Sequence, residues 1–159
     1  MKIRTTLALL ALAFYSDLPA LADIHTEAGL PANIVVATIP VGKLPTGVVI
    51  SRDSSTIYIA NVSSSTISVI NAATNTVVNT FFVAGNPFCL ALSPDGSTLY
   101  VGCSNQSVAV VSTASDTVTA TVNAGEFRSM GLALSPDGKQ LYDLTGLAVF
   151  ALSIRQRIL

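Results

Sequence analysis

Apolar and polar residues alternate along most of the chain beyond about residue 33, which is typical of half-buried β-strands. Residues 66–70, for example, read Thr-Ile-Ser-Val-Ile. Abundant Val, Ile and Thr favour strands over helices, because branching at Cβ restricts the side chain in a helix. The pattern predicts an all-β chain with strands at residues 46–51, 56–60, 66–70, 76–82, 88–93, 98–102, 107–111 and 117–122.

One segment occurs three times at a fixed spacing. Residues 51–59 recur as residues 93–101 and again as residues 135–143, each 42 residues after the last. Fixed periods of this length are typical of repeat architectures in which each unit is one group of strands. The repeats therefore predict about three units, each a four-stranded antiparallel meander. Landmarks at this spacing are Asp53, Asp95 and Asp137, and Tyr58, Tyr100 and Tyr142.

The recurring aspartates are predicted to form turns and not a metal site. In Ser93-Pro94-Asp95-Gly96, proline presets the second turn position, and aspartate or glycine tolerates the geometry that follows. Calcium needs six to eight converging oxygens, whereas each of these aspartates belongs to a different repeat. No other spacing of His, Cys or carboxylates indicates a metal or a cofactor.

The repeats resemble the YVTN-type β-propeller family. The residues that carry the resemblance are Leu92–Val101, Tyr58–Asn61, Ile67–Val78 and Ile39–Gly42, and the likeness extends over roughly residues 34 to 152. The resemblance implies blades stacked around an axis in an exported bacterial protein. It also implies a binding or scaffold role, although related lactonase-like and quinoprotein propellers are enzymes. A shared fold does not decide between these functions.

The third repeat departs from the pattern, and the ring is expected to be incomplete. Tyr142-Asp143-Leu144-Thr145-Gly146 replaces the expected Tyr-Val-Ala-Asn and its longer loop. Propellers close with about four to eight blades, whereas this chain has about three and a leading strand predicted at residues 33–39. Three explanations stay open. The reading frame is truncated, two or more copies complete a ring, or a short arc packs on a partner.

The N-terminus has the layout of a secretory signal peptide. Lys2 and Arg4 precede an apolar run at residues 7–15, and Ala20-Leu21-Ala22 matches a cleavage site. The apolar run is shorter than the roughly 20 residues that span a bilayer, so we predict cleavage before Asp23. Residues 1–22 are then the signal peptide and residues 23–159 the repeats, in the periplasm or at the cell surface.

The two cysteines are candidates for a disulfide. If Ser93 lies opposite Leu99 in a hairpin, Cys89 falls opposite Cys103. An oxidising compartment permits a bridge, which would contribute about 3 kcal/mol. The alternative is two buried free thiols, and a register shift of one residue would separate the cysteines.

A ligand-binding face is predicted where the loops joining blades meet the loops between second and third strands. Loops on a rigid scaffold often carry function. A net charge of −1 gives no electrostatic attraction to nucleic acid. The candidate residues of this face are Lys43, Asn61, Asn86, Asn105, Glu126 and Arg128.

The sequence thus predicts a non-catalytic exported binding or scaffold module, without a cofactor, that binds a protein or small molecule of unknown identity. No nucleophile motif or phosphate loop occurs. A fragment of a propeller enzyme, lactonase-like or a quinoprotein dehydrogenase subunit, is one alternative. A structural repeat of a surface layer is the other.

Overall fold

The structure is a computed structural model that describes residues 35–125, 127–146 and 148–153. The predicted signal peptide, residues 1–22, lies outside these residues. All the strands belong to one unit, residues 37–159. They are β1 (Pro45–Ile50), β2 (Thr56–Asn61), β3 (Thr66–Asn71), β4 (Thr76–Phe82), β5 (Pro87–Leu92), β6 (Thr98–Cys103), β7 (Ser107–Ser112), β8 (Thr117–Asn123), β9 (Ser129–Leu134), β10 (Gln140–Thr145) and β11 (Val149–Ser153).

The strands form three antiparallel meanders, as the repeats predict. Sheet 1 has the order β1-β2-β3-β4, sheet 2 has β5-β6-β7-β8, and sheet 3 has β9-β10-β11. A single 3-10 turn at Val62–Ser64 is the helical element of the described residues. The all-β prediction of about three meanders in an unclosed array is confirmed. Among the described residues, no helical segment has the length and hydrophobicity of a membrane span.

The same side-chain network closes the first hairpin of every sheet. In sheet 2 the Ser93 hydroxyl donates to Asp95 Oδ1 at 2.5 Å, and the Thr98 amide donates to Ser93 Oγ at 2.9 Å. Residues 51–56 and 135–140 make the equivalent bonds. These bonds, led by the serine hydroxyls, lower the pKa of the three aspartates below 3.8. The ionised carboxylates therefore stabilise the fold at neutral pH. This stabilisation is lost as the pH falls through the lowered pKa values that the aspartates have in the folded protein.

Two apolar layers hold the three sheets face to face. Between sheets 1 and 2, the buried side chains include Tyr58, Ile67, Leu99 and Val101. Between sheets 2 and 3, a smaller layer is formed by buried Ala91, Tyr100, Val108, Ala124 and Leu141. The first strands of adjacent sheets lie beside one another, β1 next to β5 and β5 next to β9. The stacking brings the ends of these first strands together in one groove.

The predicted leading strand is wrong for the residues that the structure describes. Residues 35–40 have no strand conformation, and residues 33–34 lie outside the described part. Sheet 3 has β11 at its edge within the described residues. Alternation of apolar and polar residues favours an extended backbone, but a strand also needs a partner edge, which local sequence does not specify.

Gly102 gives a test of how closely sheets 2 and 3 approach. A Cβ at this position would lie 2.6 Å from Ser129 Cβ, across the interface, and 2.5 Å from Sγ of Cys89, the paired residue on β5. At Gly131 the nearest atoms would be 3.8 Å away. We expect Gly102→Ala to lower the free energy of unfolding by about 1–3 kcal/mol because of overpacking.

Gly131→Ala is the matched control, because it adds the same methyl group to a strand glycine with free space. We expect it to leave the free energy of unfolding unchanged or slightly raised, since alanine loses less backbone entropy on folding. Urea denaturation of both variants checks the pair. Equal losses at the two positions would show that sheets 2 and 3 are farther apart than described.

Candidate functional site

Backbone hydrogen bonds order the loops at one end of the array. The Ser63 amide donates to the Lys43 carbonyl at 3.1 Å, and the Val62 amide donates to the Leu44 carbonyl at 3.0 Å. In sheet 2, the Ser104 amide donates to the carbonyl of Gly85 at 2.9 Å. The segments joining the sheets are thus bound to the loops between second and third strands. This end is the predicted ligand face, and we call it the loop end.

Four of the predicted ligand-face residues are exposed at the loop end, and several already have partners. Asn86 Oδ1 accepts a hydrogen bond from the Ser65 hydroxyl of sheet 1 at 2.8 Å. Asn105 Oδ1 accepts one from the Ser107 hydroxyl at 2.7 Å. Such bonds fix the loops in place. The exposed residues are Lys43, Asn86, Asn105 and Arg128, and Glu126 lies outside the described residues.

Arg128 lies over an aromatic ring. Its guanidinium carbon is 5.0 Å from the centroid of Phe88, on the first strand of sheet 2. This is a cation–π distance, at which the positive charge meets the negative face of the ring. Arg128 therefore links the segment before sheet 3 to sheet 2, while its charge faces solvent.

Asn61 is not part of the exposed face, which corrects the prediction for this residue. Its side chain is fully buried, and its Nδ2 donates to Ser68 Oγ at 2.9 Å and to Thr66 Oγ1 at 3.3 Å. A Cβ at Gly42 would lie 2.7 Å from the Asn61 side chain, so Gly42 packs directly over it. Asn61 therefore ties β2 to β3 beneath the loop and does not contact solvent.

The predicted register of β5 and β6, and with it the disulfide, is wrong. Leu92 pairs with Leu99 and Cys89 pairs with Gly102, one residue from the expected alignment. The closing hydrogen bond runs from the Ser93 amide to the Thr98 carbonyl at 2.8 Å, which sets this register. Consecutive residues of a strand face opposite sides. Cys89 therefore faces sheet 3, Cys103 packs against sheet 1, and both are buried free thiols.

A buried polar cluster lies between sheets 2 and 3. Asp143 is fully buried, and its Oδ2 accepts a hydrogen bond from the Ser129 hydroxyl at 2.8 Å. Its Oδ1 has no hydrogen-bond partner among the described residues. Burial raises the pKa of Asp143 despite the Ser129 bond. Ile59 and Val101 occupy the equivalent positions in sheets 1 and 2, so a carboxyl stands here where the repeat otherwise has an aliphatic side chain.

The same cluster makes the Cys89 thiol a poor nucleophile. Burial, with smaller effects from Asp143 and Cys103, raises the pKa of Cys89 to about 12. The thiolate is the reactive form of cysteine, and this thiol stays protonated at neutral pH. The described residues contain no group of three His, Cys, Asp or Glu placed to hold a metal ion.

A groove of about 480 Å³ runs across the ends of the first strands of the three sheets. The groove is shallow and largely open to solvent. Its apolar wall repeats around the array, because equivalent residues of the three repeats supply it. We call it the axial groove, and it is lined by Val49, Ile50 and Arg52, by residues 90–94 and by residues 132–136.

Arg52 is the charged side chain of the axial groove, and it is exposed. The equivalent positions of the other two repeats are Pro94 and Pro136. The Ser93 and Ser135 hydroxyls also line the groove, but each already donates to the aspartate of its own turn. The groove therefore offers apolar walls and one guanidinium. In the sequence, the apolar residues of the groove look like ordinary core positions. The signal that could have revealed the groove was the arginine at position 52, where the other two repeats have proline.

The described sheets match solved β-propeller structures, although they do not themselves close into a ring. Hydrazine synthase of Kuenenia stuttgartiensis superimposes with a TM-score of 0.64 and 24% sequence identity, over 69% of this chain and 34% of that chain. The WD40 repeats of RRP9 superimpose with a TM-score of 0.57 and 21% identity, over 62% of this chain and 32% of that chain.

Both neighbours have propeller-type folds. At these identities, the likeness concerns the fold alone, and the chain spans about a third of the length of either neighbour. No protein-family model matches the sequence, and no curated protein matches it.

Proposed function

We propose that this chain is a non-catalytic, exported bacterial binding module of YVTN type, and that its ligand lies in the axial groove. The YVTN-like motifs of the repeats and the β-propeller fold support the first part. The proposed position of the ligand rests on one observation, the convergence of three apolar strand ends beside Arg52.

The chemistry of the axial groove defines a ligand class. Apolar walls favour an apolar body, because burying apolar surface is worth about 25 cal/mol per Å². A guanidinium at the rim favours a carboxylate, which it binds through two parallel hydrogen bonds. The ligand is therefore a small amphipathic anion, with its acyl chain along residues 90–92 and 132–134 and its carboxylate at Arg52.

Octanoate is a suitable probe of this binding. We expect octanoate to shift the backbone amide signals of the axial-groove residues in NMR titrations of the secreted chain. Arg52→Pro restores the residue of the other two repeats and removes the charge, and we expect it to weaken octanoate binding about tenfold or more, since a charged hydrogen bond is worth about 1.5–3 kcal/mol. Arg52→Lys retains part of the affinity, and Lys43→Ala at the loop end retains all of it.

A different result would contradict each part of the proposal. Equal binding of octanoate and octanol would overturn the role of Arg52. Octanoate shifts confined to Asn86 and Asn105 would place the binding surface at the loop end. For the export part, we expect N-terminal sequencing of the secreted protein to begin at Asp23, and an intact Met1 on the isolated protein would contradict it.

A further inference from the structure

The outer face of sheet 3 exposes side chains that are buried at the equivalent positions of the other sheets. Tyr142 is 42% exposed, whereas Tyr58 is 6% and Tyr100 is 7% exposed. Val149 is 62% exposed, whereas Val108, its equivalent in sheet 2, is 1% exposed. In sheets 1 and 2 these positions are covered by the next sheet. We call this side of a sheet its trailing face.

The outer face of sheet 1 shows the complementary pattern. Val48 is 67% and Ile50 is 50% exposed, whereas Leu90, the equivalent of Val48, is 8% exposed. Leu90 and Leu92 of sheet 2 pack into the apolar layer against sheet 1. We call the side of a sheet that contacts the preceding sheet its leading face. Among the described residues, the array thus has a leading face at one end and a trailing face at the other that no sheet covers.

We propose that a second copy of this chain covers both faces, head to tail. The trailing face of sheet 3 in each copy packs on the leading face of sheet 1 in the other copy. The two faces are repeats of surfaces that already pack together inside the chain. Strands β1 to β4 carry no charged residue, and Asp143, the charged residue of β9 to β11, faces sheet 2. Both contacts would therefore bury apolar surface without burying a charge.

The number of sheets favours two copies. Two copies bring together six of the sheets that the structure describes, which lies within the range of about four to eight blades in closed propellers. Three sheets fall below this range, and the nine sheets of three copies exceed it. Contacts between unlike faces either close into a ring or continue as an open filament, depending on the rotation between copies. Because six sheets fall within the range of closed propellers, we place the closure of the ring at two copies.

One residue position differs between the contacts of neighbouring sheets within the chain and the proposed contact between two copies. Leu144 stands on the trailing face of sheet 3, where sheets 1 and 2 have Ala60 and Gly102. Its larger side chain, 49% exposed, requires a wider separation than the close contact at Gly102. The copies therefore meet at a slightly larger spacing there than sheets 2 and 3 do. This assembly does not depend on the binding function proposed above.

Sedimentation velocity of the secreted chain tests the assembly. We expect the wild type to sediment with twice the mass of one chain at micromolar concentrations. Val48→Lys alters the leading face and Tyr142→Glu the trailing face, and we expect each variant alone to have the mass of one chain. An equimolar mixture of the two variants is expected to regain the double mass. In the mixed dimer, the first contact joins the two unaltered faces, and the second contact brings the new lysine of one chain against the new glutamate of the other.

Val118→Lys is the matched control, since it places the same charge at an exposed valine (41% exposed) on the outer strand of sheet 2. We expect it to keep the double mass, and circular dichroism checks that every variant is folded. A wild type of single mass throughout would overturn the proposal. So would a dimer that only one of the two variants disrupts, since that result indicates contact between like faces, or variants that do not complement each other.

Discussion

Replacing Tyr100 by alanine is expected to lower the free energy of unfolding by about 3 kcal/mol, and the same change at Tyr142 by less than about 1 kcal/mol. The two tyrosines occupy the same repeat position, but sheet 3 covers Tyr100 and no described sheet covers Tyr142. The cost of removing a buried ring combines lost burial and the cavity left behind. At an exposed position, removing the ring leaves no cavity, so this contribution to the cost is absent.

Guanidinium denaturation of both alanine variants in a Val48→Lys background measures this contrast. That background prevents self-association, so the comparison reports on the contacts within one chain. Tyr58→Ala is expected to behave like Tyr100→Ala, because Tyr58 is buried between sheets 1 and 2. Similar losses at Tyr100 and Tyr142 would show that the sheets do not stack as described.

Asp143→Asn is expected to raise the free energy of unfolding at neutral pH by about 1–3 kcal/mol, because a neutral amide avoids the extra cost of burying a charge with too few partners. The amide retains an oxygen for the Ser129 hydroxyl but cannot ionise. Because burial raises the pKa of Asp143 in the folded state, the folded protein holds the proton more tightly than the unfolded chain. The Asp143 contribution is therefore most favourable at low pH and declines as the pH rises through the unfolded and then the folded pKa.

Urea denaturation of wild type and Asp143→Asn from about pH 3 to about pH 8 checks this sign. The turn aspartates change stability in the opposite direction, but they are present in both proteins and cancel in the difference. Asp137→Asn is the control, and it is expected to lower stability at neutral pH because its turn hydrogen bonds weaken. A difference between wild type and Asp143→Asn that does not vary with pH would contradict the account of Asp143.

The sequence predicts the strands well because both of its signals are local. The alternation of side chains marks β4 at residues 76–82, the bounds that the structure has. β5 is displaced by one residue from its prediction. The turns follow from short-range hydrogen bonds, such as Ser93 to Asp95, which any copy of the motif can make. These signals also establish that the sheets are meanders.

The features that the sequence predicts poorly depend on contacts between distant residues. The hairpin register differs by one residue from the predicted pairing of Ser93 with Leu99, because the closing hydrogen bond of the turn joins the Ser93 amide to the Thr98 carbonyl. That single residue places Cys89 and Cys103 on opposite faces. Asn61 is polar and precedes a loop, yet Gly42 packs over it. The axial groove forms only when three strand ends separated by 42 residues meet.

A crystal structure of this protein tests the central claim, the face-to-face stacking of the repeats, most directly. We expect sheets about 10 Å apart, with Tyr58 and Tyr100 in matching apolar layers and Tyr142 at the face that meets a second molecule. Sheets joined edge to edge through their outer strands, with Tyr58 and Tyr100 in unlike surroundings, would contradict it.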